Sequence, residues 1–337
     1  MSTDFANASG WAAVVPVIAW HEQPAALQRH ALNGATMGTR YSAIFFAPAG
    51  LETTAIGAAL QAAVDAVDQQ MSTWKPDSDL CRFNRAPPGQ WIELPDELLS
   101  VIVAALEVEK QSGGAFDAGV GDVVDAWGFG PSGKHPDMDS IAALAQLPRQ
   151  PMADAVEIDR VARRARKRAP VSLDLSGIAK GFGVDQLALC LGLFGIDRYL
   201  VSIDGEIRAG GSKPDGAPWA VAIERPDRRA RDAAGVIELV DRAIATSGDY
   251  RHWREVNGAT VSHTMDPRTG RPLANRLASV SVLAEDCMQA DAWATALMVL
   301  GEVDGPRLAA ERGIDALFMV REGGGLREIG TGAFAEA

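Results

Sequence analysis

Between Tyr199 and Leu283 the chain offers five strand-like runs: Tyr199–Ile203, Trp219–Ile223, Val236–Val240, Thr260–Thr264 and Ala278–Leu283. Helices are expected only on either side of them. One begins at Gly177 and runs through Val184, Leu187 and Leu191, and another spans about Met288 to Leu300. A doubly wound sheet would place a helix between successive strands, and that rhythm is missing. The expected fold class is therefore α+β, with mixed, largely antiparallel sheets and packed helices. A closing hairpin joins Leu317–Val320 to Leu326–Ile329 around Gly323–Gly325.

The first half is less regular. Residues 1–30 carry little pattern and read as an N-terminal extension, leaving 31–337 as one domain. Met37 to Phe46 predicts a strand. From Thr53 a helix is marked by Ile56, Leu60, Val64, Val67 and Met71, and it ends before Pro76. A second helix starts near Pro95–Asp96, carries Leu98, Ile102, Leu106 and Val108–Glu109, and stops at Gly113–Gly114. The stretch 113–136, rich in Gly and Asp, predicts a working loop. The basic run at 160–168 reads as a solvated hairpin or helix face, not a nucleic-acid patch.

Charge supports that choice. With 44 acidic and 32 basic residues the chain carries a formal −12, a field that repels nucleic acid and anionic membrane surfaces. A phosphorylated ligand must be held against it by a metal ion or by oriented amides. Cys81, Cys190 and Cys287 are widely spaced and read as buried thiols, not as a disulfide framework or zinc site. No apolar run is long enough to span a membrane, so no integral membrane segment is expected. The apolar patch Trp11–Trp20 contains Pro16 and lacks a preceding basic region, so it does not read as a secretory signal. A cytoplasmic location is the expectation, with an exported or periplasmic one if a leader has been removed.

Several segments carry chemistry. In DLSGIAKGFGVD (174–185), Gly177, Gly181 and Gly183 sit where a strand hands over to a helix. Exposed amides there suit a pyrophosphate, Lys180 would add a point charge, and Asp174 an acceptor for a hydroxyl or base edge. The alternative is a plain helix start, with Asp174 as cap and the glycines for close packing. In QADAWATALMVLG (289–301), Asp291 and Thr295 share a helical face and offer hard oxygen ligands suited to Mg²⁺ or Ca²⁺. The alternative is an acid favouring the helix N-terminus. TSGDY (246–250) places Thr246 and Ser247 before a turn. In SHTMDPRTGRPL (262–273), His263 lies at a strand end among turn residues, a setting for a general base. Met37, Trp74 and Phe116 would make either an apolar wall for a flat ring or ordinary core. GFGPSGKH (128–135) only approximates a phosphate-binding loop, because His135 replaces the hydroxyl residue and no buried strand leads into it.

Taken in order, MGT, MSTW with the following S and RFN, GAFD, DLSGIAKG, TSGDY with SHTMDPRTGRP, and ADAWATAL resemble the ApbE family of FAD:protein FMN transferases. The resemblance runs from Met37 to about Gly301. It implies a T-fold-like architecture and a Mg²⁺-dependent reaction that cleaves FAD. FMN passes to a threonine of an acceptor protein as a phosphoester, and AMP departs. It further implies that Met37, Trp74, Ala115, Phe116, Asp117, Asp174, Lys180 and Met265 line the FAD site. Gly177 (through its carbonyl), Asp291 and Thr295 would bind the metal, and His263 would be the base. Some members carry a second Asp where this chain has Ala294, so phosphate and water would complete the metal shell. The same residues also suit an FAD pyrophosphatase releasing FMN and AMP, or a flavin-binding protein without turnover. NGATVS (257–262) looks like the S/D-G-A-T motif of family acceptors, but its expected role is a strand leading into His263.

Overall fold

The computed structural model describes residues 26–335, apart from Lys134, Arg228, Arg229, His252 and Asn257. Strand β1 (Leu27–Thr36) pairs antiparallel along its whole length with β2 (Thr39–Pro48). The strand expected from Met37 thus starts two residues later, because Met37 and Gly38 form the turn, at φ 43° and 72°. Two consecutive left-handed residues give the hairpin turn whose twist matches its strands. The sheet also takes up residues 27–30, which had read as part of the extension. Residues 1–25 lie outside the described residues.

Helix α1 (Thr54–Met71) buries the predicted stripe of Ile56, Leu60, Val64, Val67 and Met71. A smaller layer follows: α2 (Asp79–Arg85), β3 (Ile92–Glu93), α3 (Asp96–Gln111), α4 (Gly121–Ala126), α5 (Met138–Leu144), α6 (Met152–Ala155), β4 (Val156–Asp159) and β5 (Arg164–Lys167). The basic run is the β4–β5 hairpin. Arg164 and Arg166 lie over the Trp91 ring and pair with Asp159 and Glu157, so their charge is locally balanced.

Then come α7 (Ala179–Leu193), β6 (Tyr199–Ile203), β7 (Glu206–Gly210), β8 (Trp219–Glu224), β9 (Ala233–Leu239) and β10 (Ala243–Gly248). The hairpins β11 (Trp253–Val256) with β12 (Ala259–Ser262), and β13 (Met265–Asp266) with β14 (Arg271–Pro272), precede β15 (Leu277–Ala284). Helix α8 (Cys287–Arg312), β16 (Asp315–Glu322) and β17 (Gly325–Thr331) close the chain. Thr260 sits exposed on β12, the strand expected to lead into His263.

The main sheet has the order β1-β2-β6-β7-β10-β15-β16-β17, and each neighbouring pair is antiparallel. Helices α1, α7 and α8 pack on one face, and the β8–β9 hairpin contributes Trp219, Val221 and Ile223 to the core on the other. β15 is therefore buried on both sides over nearly its whole length. Strands β7 and β10 leave no pattern in the sequence. They are short, and the small residues of β10 (Ala-Ile-Ala-Thr-Ser-Gly) show no alternation for a half-exposed strand to reveal.

Helix α8 outruns its expected end at Leu300. Gly301 breaks the helical path at φ 82°, and the helix resumes to Arg312. The Asn275 side-chain amide donates to the Met298 carbonyl at 2.8 Å, satisfying an acceptor beside the break.

Candidate active site

Two backbone hydrogen bonds bring the first glycine-rich loop beside the start of α7. Gly121 N donates to Ser172 O (2.9 Å), and Asp174 N donates to Ala118 O (2.8 Å). Asp174 then accepts from Ser176 N at 2.7 Å, a tight local turn that hands the chain to the helix. The amides expected to stand open for a pyrophosphate are largely used. Ile178 N and Ala179 N donate to Leu175 O, and Gly181 N donates to Asp291 Oδ2 at 2.9 Å.

The glycines act by close approach instead. A Cβ on Gly181 would lie 2.3 Å from the Cys287 carbonyl oxygen and 2.8 Å from Asp291 Cβ. A Cβ on Gly183 would lie 2.9 Å from the Met37 terminal methyl. This contact explains why Met37 accepts a left-handed backbone: the turn aims its side chain onto α7.

That proximity of α7 and α8 creates the centre. Asp291 is 4% exposed, one helical turn from Thr295. A Cβ on Gly177 would lie 3.0 Å from Thr295 Oγ1 and 3.3 Å from the Phe116 ring. Thr295 Oγ1 lies 3.0 Å from Ser247 Oγ at the end of β10. The Gly177–Gly181 stretch, more than a hundred residues away in sequence, is thus brought against Asp291 and Thr295 of α8.

The electrostatics of the centre are lopsided. Lys180 Nζ donates to Glu206 Oε1 at 2.7 Å and lies 3.8 Å from Asp204. Its ammonium is thus engaged by carboxylates and is not the free point charge expected. Burial works against that charge, but Glu206, Asp291 and Asp204 together hold Lys180 protonated above its ordinary range. Burial, and then the charge of Glu206, pushes the Asp291 carboxyl upward, with Lys180 and the Gly181 amide opposing. Glu206 is raised by its own burial, and its Oε2 is buried with no hydrogen-bond partner. Three carboxylates share one ammonium. Surplus negative charge beside a hydroxyl pair fits a small, hard divalent cation. No group of three or more His, Cys, Asp or Glu forms a metal cage among the described residues, so any such ion would rely on mixed oxygen donors and on its substrate.

The remaining predicted residues are distributed around this centre. Phe116 is buried against Gly177, and Ala115 is core. Asp117 turns inward: its Oδ1 accepts from Gly119 N at 2.6 Å, and burial raises its carboxyl above the ordinary range. Beneath it, burial and the Asp117 charge push Glu109 up to about 7, while Glu109 accepts from Ala153 N. Trp74 stands 61% exposed, whereas Phe116 is buried. Met265 is buried on β13.

His263 follows β12 and meets the Phe129 ring edge-on, at 6.4 Å between centroids. Its loop is seated on α4, where Trp127 Nε1 donates to Gly270 O at 3.2 Å. The loop 115–130 therefore links the two groups, with Phe116 at the α7–α8 junction and Phe129 at His263. The segment after Phe129 folds back so that Ser132 N donates to Asp125 Oδ1, and it leads to no long helix. Glu206 belongs to no motif in the sequence and joins the site through Lys180. Ser247 was visible only as a hydroxyl before a turn.

Fold and site together define an α+β protein with a buried, oxygen-lined acidic centre at the α7–α8 junction and an imidazole packed on the loop that also carries Phe116, a class suited to a hard cation and a phosphate ester. The ApbE family model matches residues 37–318. The chain is 38% identical over 321 residues to the FAD:protein FMN transferase of Vibrio cholerae, covering 94% of this chain and 95% of that protein. It is 31% identical over 340 aligned positions to the FAD:protein FMN transferase of Escherichia coli K12, covering 96% and 94%. Among solved structures, flavin transferase ApbE from Vibrio cholerae superposes with a TM-score of 0.82 at 36% identity, covering 92% of this chain and 99% of that one. The apo form of Pseudomonas stutzeri flavinyl transferase ApbE also gives 0.82, at 37% identity, covering 92% and 96%. This chain belongs to the ApbE family.

Proposed function

We propose that this FAD:protein FMN transferase works with Mg²⁺ and modifies a threonine of an acceptor protein. The observation that carries this reading is the meeting of Gly177, Asp291 and Thr295 at the α7–α8 junction, in a chain whose relatives over nearly full length are named for this activity.

The threonine oxygen forms a bond to the phosphorus on the riboflavin side of FAD. The bond from that phosphorus to the bridging oxygen breaks, and AMP leaves with the bridging oxygen. His263 takes the threonine proton. Mg²⁺, held by the Gly177 carbonyl, Asp291 and Thr295, would neutralise the pyrophosphate charge that the −12 chain otherwise repels. Half-buried Met37, fixed against Gly183, offers the flavin apolar surface at a rigid position, and buried Phe116 packs against Gly177 beside the metal donors. Lys180, tied to Glu206, sets the charge balance beside Asp291. Phosphoryl transfer rests on positioning and charge stabilisation, and this centre supplies both from packed elements.

The test mixes the protein with FAD, Mg²⁺ and a synthetic peptide containing Ser-Gly-Ala-Thr. A peptide heavier by FMN, with AMP released in equal amount, is the expected result. AMP with free FMN and no adduct would make hydrolysis the activity, and no AMP at all would overturn the reading. Full activity of His263→Ala would remove the histidine from its role as base.

A further inference from the structure

A groove of about 440 Å³ lies between two segments that continue, along the chain, from His263 and from Thr295. One wall is the segment from Asp266 to Asn275, which begins three residues after His263 and is tied to it by Leu273 N donating to Thr264 O. The other is α8 from Val299 to Val303, starting one helical turn beyond Thr295. The helical path of this wall breaks at Gly301, where the Asn275 side chain of the other wall meets it. A Cβ there would lie 3.5 Å from the Asn275 side chain, and the positive φ further favours glycine. An Arg276–Glu302 ion pair at 2.9 Å staples the two walls together.

The groove's chemistry differs from that of the buried centre. Val303 is 74% exposed, the most open of the apolar side chains that line the groove with Leu273, Val299 and Leu300. Arg268 is neutralised by Asp266, and Arg276 by Glu302. The lining holds two acids, Asp266 and Glu302, against two bases, Arg268 and Arg271, and exposed Arg271 is the one of the four with no ion pair among the described residues. No aromatic ring lines the groove.

We infer that this groove seats an extended segment of the acceptor protein, one that places a carboxylate on Arg271 and an apolar side chain on Val303, so that its threonine reaches His263. The inference rests on the transferase reading above. It makes the groove a determinant of which threonine is modified, through a contact outside the reacting atoms.

Three peptides with the same Ser-Gly-Ala-Thr core serve as probes, flanked on both sides by Leu-Asp, Leu-Lys or Gly-Ser repeats. FMN transfer is followed at varied peptide and varied FAD concentrations. The Leu-Asp peptide is expected to show a KM about tenfold below the Gly-Ser peptide, with little change in kcat. Arg271→Glu should erase that advantage and transfer it to the Leu-Lys peptide, a swap that misfolding cannot produce. Val303→Asp should raise KM for both leucine-flanked peptides. Equal KM values for all three peptides, with AMP still formed, would overturn the groove alone. A change confined to the KM for FAD would overturn it too, by assigning the groove to the nucleotide. Absence of AMP in every mixture would overturn the transferase reading, and the groove with it.

Discussion

Two buried carboxyls in this molecule sit well above their ordinary range, Asp291 on α8 and Glu109 on α3, and burial is the largest cause for both. They differ in their company. Around Asp291 stand Lys180, Glu206, the Gly181 amide and, one turn along, Thr295 bonded to Ser247. Around Glu109 stand Asp117, Asp154 and the Ala153 amide, in a wall of core residues. A perturbed carboxyl alone does not mark a site. What distinguishes the first is a set of oxygen donors from three separate elements at one point, with a buried Glu206 oxygen left without a partner.

The strongest way to break this comparison is Asp291→Ala. If the centre holds a cation, losing its one α8 carboxylate should lower FMN transfer about a thousandfold at limiting Mg²⁺, since each 1.36 kcal/mol of lost stabilisation is tenfold in rate. The drop should shrink as Mg²⁺ is raised. Near-normal transfer at limiting Mg²⁺ would put the metal elsewhere.

Glu109 should instead report on stability. Its folded value is raised above that of the unfolded chain, so the neutral form is the one the fold tolerates. The contribution is therefore most favourable below the ordinary 4.5 and is lost as pH rises through about 7. At 1.36 kcal/mol per unit the full penalty is of order 3 kcal/mol above neutrality. Glu109→Gln keeps an oxygen to accept the Ala153 amide and removes the charge. It should stabilise the protein at pH 8 and lose that advantage at pH 4.5, as read by denaturant unfolding at the two pH values. An equal change at both would mean that charge is irrelevant there.

A third substitution probes the same contrast through the backbone. Gly181→Ala drives a methyl into the Cys287 carbonyl and should cost about 1–3 kcal/mol by forcing α7 off α8. The accompanying loss of activity should exceed that of an equally destabilising change in α3. If activity per folded molecule is unchanged, the α7–α8 spacing does not set the centre.

What was legible in the sequence follows the range of the interaction. The α1 stripe and the Asp291–Thr295 pair depend on three- and four-residue spacing, which a sequence displays directly. The antiparallel fold class was legible from the missing strand–helix rhythm. The Met37 turn was not, because a methionine at positive φ has no local signature and is held there by α7. Nor was the engagement of Lys180. Its partner Glu206 lies 26 residues away on β7, a strand too short to announce itself. Open amides at the start of α7 were a fair expectation from glycine spacing. Only the packing of α8 showed that the acid at 291 had taken one of them.

The Ser247–Thr295 contact, which spans 48 residues, leads to the mildest prediction and the one most specific to a cation. A threonine hydroxyl has one proton and two lone pairs. If Thr295 turns a lone pair to a metal, its proton must point to another acceptor, and Ser247 Oγ at 3.0 Å is placed to receive it. Ser247→Ala removes that acceptor without touching a charge. Losing one neutral hydrogen bond is worth about 0.5–1.5 kcal/mol, so the effect is at most about tenfold. The loss should appear as a higher Mg²⁺ requirement, with transfer restored at saturating Mg²⁺ and Ser247→Thr close to the parent. Glu109→Gln, outside the oxygen cluster, should leave the Mg²⁺ dependence where it was. If Ser247→Ala lowers activity equally at every Mg²⁺ concentration, the hydroxyl pair only packs β10 against α8, and Thr295 does not turn its lone pair to a metal.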